Sequence, residues 1–146
     1  MCAIREVTGP AGAILLVYNY TGDRLNFGIA LEQAKGEGYK IEMCLVGEDC
    51  SAKPASSKVG RRGLAGTLFI SKIGGAMVEE GRNLEDILET MNKCADSIGT
   101  MGCSLSSCTL PGTVKDNERI PNGMMEVGLG VHGEPGLRQE PIKPAD

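Results

Sequence analysis

Apolar residues run without a break from Ala13 to Tyr18 and stop at a polar turn. A short continuous run of this kind predicts a strand buried on both faces, as in a parallel sheet. After the turn, Phe27, Ala30, Leu31 and Ala34 recur at helical spacing, and Leu25 with Ile29 widens the stripe. Gly36 or Gly38 is suited to end that helix. Ile41–Val46 reads as a second strand, closed by Gly47. Strand, helix and strand in so short a span make a βαβ unit, with a right-handed crossover expected.

Residues 48–60 carry Pro54 and several serines without periodicity, and read as a loop. A second helical pattern runs from Leu64 through Leu68, Phe69, Ile73 and Met77. Gly66, Gly74 and Gly75 interrupt it at about 1 kcal/mol each relative to Ala, which predicts close packing against another backbone. Asn83 then caps the most regular helix, with Asp86 at N3. Its apolar face is Leu84, Ile87, Leu88, Met91, Cys94, Ala95, Ile98 and Met101, and the two helices read as an α-hairpin. Residues 103–109 alternate and suggest a strand. Residues 110–123 read as a loop, and 124–131 as a strand delivering His132 at its C-terminal end. Residues 139–146 hold two prolines and no pattern. The fold class is α/β, with a parallel or mixed sheet flanked by helices.

Length and composition narrow the function. A chain of 146 residues is one domain with room for a core. The net charge of −4 disfavours nucleic acid as main partner, and 3% aromatics without Trp disfavours stacking platforms. The longest clearly apolar run is far short of the roughly 20 residues of a membrane span. The N-terminus does not look secretory, so the sequon Asn19-Tyr20-Thr21 reads as coincidence and the expected location is cytoplasmic. One histidine excludes multi-histidine metal sites within the chain, and no metal site is expected. The six cysteines form no C-x-x-C pair, so buried reduced thiols are expected.

Three segments could carry chemistry. Thr21-Gly22-Asp23 follows a strand and opens a helix, where α/β folds bind ligands and the helix field favours anions. Asp23 is also the natural N-cap, with Asn26 at N3, so position alone leaves capping and catalysis both open. His132 lies between Gly128, Gly130, Gly133 and Gly136, unusual bedding for a core histidine. A neutral imidazole there could serve as base or as nucleophile toward a carbonyl, with Glu134 a candidate to orient it. Lys58-Val59-Gly60-Arg61-Arg62-Gly63 reads as a solvated charge run or a phosphate site. No G-x-x-x-x-G-K-[ST] occurs, and no G-x-G-x-x-G lies between a strand and a helix, so no ATP or dinucleotide site is expected within the chain.

Five blocks follow one another in a recognisable order. They are Val7-Thr8-Gly9-Pro10-Ala11-Gly12, Asn19-Tyr20-Thr21-Gly22-Asp23-Arg24-Leu25-Asn26-Phe27-Gly28, Gly60-Arg61-Arg62-Gly63-Leu64-Ala65-Gly66-Thr67, Leu105-Ser106-Ser107-Cys108 and Gly130-Val131-His132-Gly133-Glu134-Pro135-Gly136. Together they resemble the substrate-binding (K-type) domain of the dihydroxyacetone kinases, the group that includes triokinase/FMN cyclase. The resemblance covers residues 1–138 as a partial domain and leaves 139–146 as an unstructured tail or a cut-off continuation. It implies that His132 holds dihydroxyacetone as a covalent hemiaminal and that Asp23 bonds a substrate hydroxyl and helps to take its proton. Gly22 and Tyr18 complete the implied substrate contacts, with Tyr18 standing where the family usually has lysine. Glyceraldehyde is a second candidate substrate.

The resemblance also implies what lies elsewhere. The family's upstream glycine-rich segment ending in G-H-E-P is absent from this chain, so the chain reads as part of a larger domain. ATP and Mg²⁺ are expected on a separate L-type domain, and a homodimer is the expected assembly. The expected activity is a glycerone kinase, with the isolated chain inactive. The rival readings are a non-catalytic paralogue serving as a binding or regulatory module, and a truncated fragment.

Overall fold

The computed structural model describes residues 1–51, 60–109, 111–113 and 119–144. The expected loops 48–60 and 110–123 therefore fall partly outside the described residues. Strand β1 is Ala13–Tyr18 and β2 is Ile41–Val46, the bounds the apolar runs predict. They pair in parallel, Ala13 opposite Ile41 through Tyr18 opposite Val46. Helix α1 (Cys2–Val7) precedes β1, and α2 (Thr21–Gly36) joins the two strands. The first of these has no counterpart in the sequence reading. It buries Ile4 and is tied down by Arg5, whose guanidinium donates to Glu37 at 2.8 and 2.5 Å.

Side chains alternate across the strands and feed two separate cores. Ala13, Leu15, Ile41 and Met43 pack with Ile4, Leu31 and Ala34 of α1 and α2. Ile14, Leu16, Cys44 and Val46 face the other way, toward α3 (Gly66–Glu79) and α4 (Leu84–Ser97). A sheet covered on both faces accounts for the uninterrupted apolar runs. The sheet is only two strands wide, however, too narrow to cover the whole stripe expected on α2. Leu25, Phe27 and Ile29 remain 63, 44 and 51% exposed.

Helix α4 starts as its sequence predicts, with the Asn83 side chain accepting from the Asp86 amide at 2.8 Å. Leu84, Ile87, Met91 and Ala95 are buried. Met101 lies beyond the helix end and is exposed. Helices α3 and α4 pack together as the expected α-hairpin. The α3 glycines meet side chains rather than another backbone: a Cβ on Gly74 would come within 2.8 Å of Met91 Sδ, whereas one on Gly75 would meet nothing.

The second half departs further from expectation. A separate antiparallel sheet runs β3 (Cys103–Ser104), β4 (Met124–Val127), β5 (Arg138–Pro141), so the strands form two sheets rather than one mixed sheet. The strand expected over 103–109 is only two residues long. The strand expected over 124–131 stops at Val127, because Gly128 turns the backbone into the left-handed region at φ +80°. Residues 139–141, at the start of the segment expected as an unstructured tail or a cut-off continuation, lie in β5, which pairs with β4 from Val127–Arg138 to Met124–Pro141. Backbone pairing, not apolar alternation, holds this exposed edge strand. All six thiols are free, as expected, but only Cys44 is buried, where burial pushes its pKa up to about 11.

Candidate functional site

The C-terminal ends of β1 and β2 meet a belt of polar residues. Glu48 and Asp49 follow β2 after Gly47 and are both fully buried. The Glu48 carboxylate accepts from the amides of Leu64 (2.9 Å) and Gly66 (2.8 Å) and from the Thr100 hydroxyl (3.1 Å). It thus serves the free N–H groups at the start of α3 from far away in sequence. Asp49 pairs with Arg62 at 2.7 Å, and Arg62 also donates to Ser51 Oγ (3.0 Å) and to the Gly128 carbonyl (2.5 Å). Arg61 donates to the carbonyls of Glu48 (2.7 Å) and Asp49 (3.0 Å). The two arginines are therefore structural ties, neither a solvated charge run nor a phosphate site. Lys58 and Val59 lie outside the described residues.

Asp49 carries a pH-dependent part of the stability. Burial alone would raise its carboxyl pKa. Bonds from Ser51 and the Arg62 guanidinium outweigh that and hold it below the usual carboxylate range. A carboxyl depressed on folding stabilises the native state above its unfolded value, about 3.9, and that contribution is lost as pH falls through the folded value. Urea stability is expected to fall steeply below about pH 4. Asp49→Asn should flatten that fall, and an unchanged pH profile in the variant would refute the assignment.

Beyond β1, Asn19 is buried and donates through Nδ2 to the Arg61 carbonyl at 2.6 Å, which leaves its amide no room as a glycosylation acceptor. Tyr20 is the N-cap of α2, in extended conformation at φ −123° and ψ 150°, and its side chain makes no capping bond. Helix α2 thus begins three residues earlier than an Asp23 cap would require. Asp23 falls at N3, where the helix field suits a carboxylate without a cap bond. Its side chain is half-buried and makes no hydrogen bond or ion pair with the described residues. Gly22 is exposed in the same turn, with open space around it. Tyr18 is half-buried at the end of β1, and its hydroxyl is unbonded among the described residues.

His132 sits in the turn of the β4–β5 connection. The connection closes at its base where the Leu137 amide donates to the Val127 carbonyl at 2.8 Å. It is tied at several further points. The Gly128 amide donates to the Gly102 carbonyl at 2.7 Å. The Gly136 amide donates to Glu126 at 2.8 Å, and Arg119 donates to the Gly133 and Glu134 carbonyls at 2.7 and 3.2 Å. Glu126 is buried and pairs with Arg119 at 2.9 Å. The Gly136 amide and Arg119 hold its carboxyl below the usual range. The glycine-flanked loop is therefore braced.

The imidazole itself is 59% exposed, so nothing roofs it. Glu134 answers the orientation question directly: Oε2 accepts from the His132 amide at 3.0 Å, and Oε1 faces Nδ1 at 3.3 Å. Burial would raise the Glu134 carboxyl, but backbone amides and the imidazole bring it below its ordinary value. A carboxylate at Nδ1 selects the tautomer with the proton there and leaves the lone pair on Nε2. Nε2 makes no hydrogen bond with the described residues.

The second contact of the ring is Tyr20, unremarked in the sequence reading. The two rings lie edge to face, centroids 4.5 Å apart at 87°, and the Tyr20 hydroxyl accepts from the Val131 amide at 3.2 Å. Of the expected site residues, Gly22 and Asp23 share the first turn of α2, and His132 reaches that region through Tyr20. No hydrogen bond joins His132 to Asp23 or Tyr18 among the described residues. Motif spacing could not reveal Tyr20 or Arg62 as supports, because their partners lie far away in sequence.

Neither of two cavities near these elements contains the imidazole. One of about 410 Å³ opens at the N-terminal end of β1, lined mainly by apolar residues such as Ile14, Leu16, Val78 and Ile87. The expected site residues lie toward the opposite end of that strand, the end at which α/β sheets bind ligands. The other, about 250 Å³, lies behind the loop, between Leu64, Thr100, Cys103 and Val131. Among the described residues no group of three His, Cys, Asp or Glu side chains is placed to hold a metal ion. No described helix is long and apolar enough to cross a membrane.

A family model described as the Dak1 domain matches residues 1–146. The triokinase/FMN cyclase of Rattus norvegicus is 51% identical over 148 residues, covering 100% of this chain and 25% of that protein. The chain thus spans about a quarter of the length of such curated relatives. A crystal structure of the dihydroxyacetone kinase from C. freundii, in complex with AMP-PNP and Mg²⁺, matches with a TM-score of 0.85 at 45% identity, covering 94% of this chain and 25% of that one. The dihydroxyacetone kinase operon co-activator Dha-DhaQ matches with a TM-score of 0.88 at 27% identity, covering 98% and 44%.

Proposed function

Because this chain belongs to the Dak1 domain family, we propose that it is the substrate-binding part of a dihydroxyacetone (glycerone) kinase, with His132 as the covalent trap for the ketose. The single observation that carries this reading is the His132 ring, open to solvent, with Nδ1 held by Glu134 and Nε2 unengaged among the described residues. The Nε2 lone pair adds to the ketone carbon and a C–N bond forms. The carbonyl π pair moves to oxygen, which takes a proton from solvent, while the imidazole passes its Nδ1 proton by way of Glu134 back to solvent. The product is a neutral hemiaminal with all atoms of both reactants.

Asp23 accepts the hydrogen bond of a terminal substrate hydroxyl and takes its proton as that oxygen gains the phosphoryl group. Gly22 leaves room for the substrate, and Tyr18 offers a phenol where the family usually has lysine. A carbonyl trap accepts dihydroxyacetone, or glyceraldehyde, and rejects glycerol, which has no carbonyl. ATP and Mg²⁺ supply the phosphoryl group and the neutralisation of its charge. They belong in this reading to a separate L-type domain. Work in the cytoplasm and as a homodimer completes it.

One observation favours a second reading. The backbone of a co-activator superposes on this chain as closely as that of the kinase, though at 27% against 45% identity, so a regulatory ligand-binding module is the rival reading. Calorimetric titration tests the shared step: dihydroxyacetone should bind and glycerol should not, and equal binding of both contradicts the carbonyl trap. Addition of an ATP-bearing L-type domain then separates the readings. Phosphorylation supports the kinase, and binding without turnover supports the module.

A further inference from the structure

We infer that Tyr20 is a positioning residue for His132, a clamp that fixes the imidazole relative to the start of helix α2. The inference rests on the reading of His132 as carbonyl trap and names what aims it. An imidazole 59% exposed in a glycine-flanked turn has rotamer freedom to lose before it can react. Glu134 restrains one edge of the ring, but it sits on the same loop and moves with it. Tyr20 is the restraint from outside the loop. Its ring packs edge to face against the imidazole, and its hydroxyl accepts from the amide of Val131, the residue just before His132.

Tyr20 is itself held firmly. Its amide donates to the Tyr18 carbonyl at 2.8 Å, and its carbonyl accepts the first helical bond of α2, from the Arg24 amide, at 2.9 Å. Burial pushes the phenol pKa up, so the hydroxyl stays neutral. The same residue therefore follows β1 by two positions, caps the helix that carries Gly22 and Asp23, and touches the histidine. A substrate bonded to both Nε2 and Asp23 needs those groups at a fixed separation, and misplacement by about 1 Å can cost on the order of 100-fold in rate. Neighbouring Tyr18 has no comparable contact, although it is the tyrosine at the family's lysine position.

The Tyr20 side chain makes no capping bond, so its replacement leaves the start of α2 without a lost partner. His132 is the only histidine in the chain, so its ring protons give one pair of NMR signals. In Tyr20→Leu those signals should shift, and the equilibrium constant for the dihydroxyacetone adduct, corrected to folded protein, should fall about 10-fold. Tyr20→Phe keeps the ring contact and should retain most of the signal displacement and of the adduct. A folded Tyr20→Leu with wild-type His132 signals and an unchanged adduct constant overturns the inference, as does a loss that merely follows the unfolded fraction. If the wild-type chain forms no adduct, the carbonyl-trap reading fails. The His132 signals of Tyr20→Leu still decide whether Tyr20 holds the ring.

Discussion

His132→Ala should abolish covalent capture of dihydroxyacetone and weaken its binding by at least about 100-fold, equivalent to about 2.7 kcal/mol. The reason is specific to this site. The proposed ketose is small and the imidazole lies in the open, so little affinity can come from enclosure. In the proposed mechanism a reversible C–N bond is the strongest interaction available to it. The fold should not suffer, because the ring is exposed and its side-chain interactions among the described residues are with Tyr20 and Glu134. Calorimetry with dihydroxyacetone and a thermal melt together check this. Wild-type affinity in His132→Ala would mean that the ketose is held elsewhere.

Arg62→Met should be the most damaging single change to stability. Asp49 is wholly buried and Arg62 is its only cationic partner among the described residues. Removing one member of a buried pair strands the other charge and costs about 3–5 kcal/mol, from a total of about 5–15 kcal/mol for a domain. The Gly128 carbonyl and the Ser51 hydroxyl lose their donor in the same step. Because Gly128 opens the loop that carries His132, dihydroxyacetone binding should weaken as well. Adding Asp49→Asn to Arg62→Met removes the stranded charge and should recover part of the stability. Urea denaturation measures both variants. A loss below about 1 kcal/mol for Arg62→Met would mark the pair as no better than a surface salt bridge.

The sequence displays best whatever is local and periodic. Ala13–Tyr18 and Ile41–Val46 are bounded by polar turns, and both strands form at those limits. Asn83 and Asp86 meet as cap and N3 because a cap is a contact over three residues. Asp23 misled for the same reason. It looks like a cap, yet the backbone turns helical at Thr21 and leaves it at N3. The histidine loop was legible as a motif but not as a braced structure, since its ties come from Arg62, Arg119 and Tyr20, all remote in sequence. The Glu48 carboxylate beneath α3 was equally hidden, because nothing in its spacing marks Leu64, Gly66 and Thr100 as its donors. Strand β5 lacks apolar alternation because it is a polar edge strand, so only pairing with β4 reveals it.

One measurement bears most directly on the histidine. Dihydroxyacetone labelled with ¹³C at its ketone carbon is mixed with the protein and followed by NMR. Addition to Nε2 turns a planar carbonyl carbon into a tetrahedral one bearing nitrogen, so a new protein-bound signal should rise in the tetrahedral region, be absent with His132→Ala, and vanish when excess unlabelled ketose is added. A bound ketose whose labelled carbon keeps its carbonyl shift, or a tetrahedral signal that survives in His132→Ala, would contradict the account.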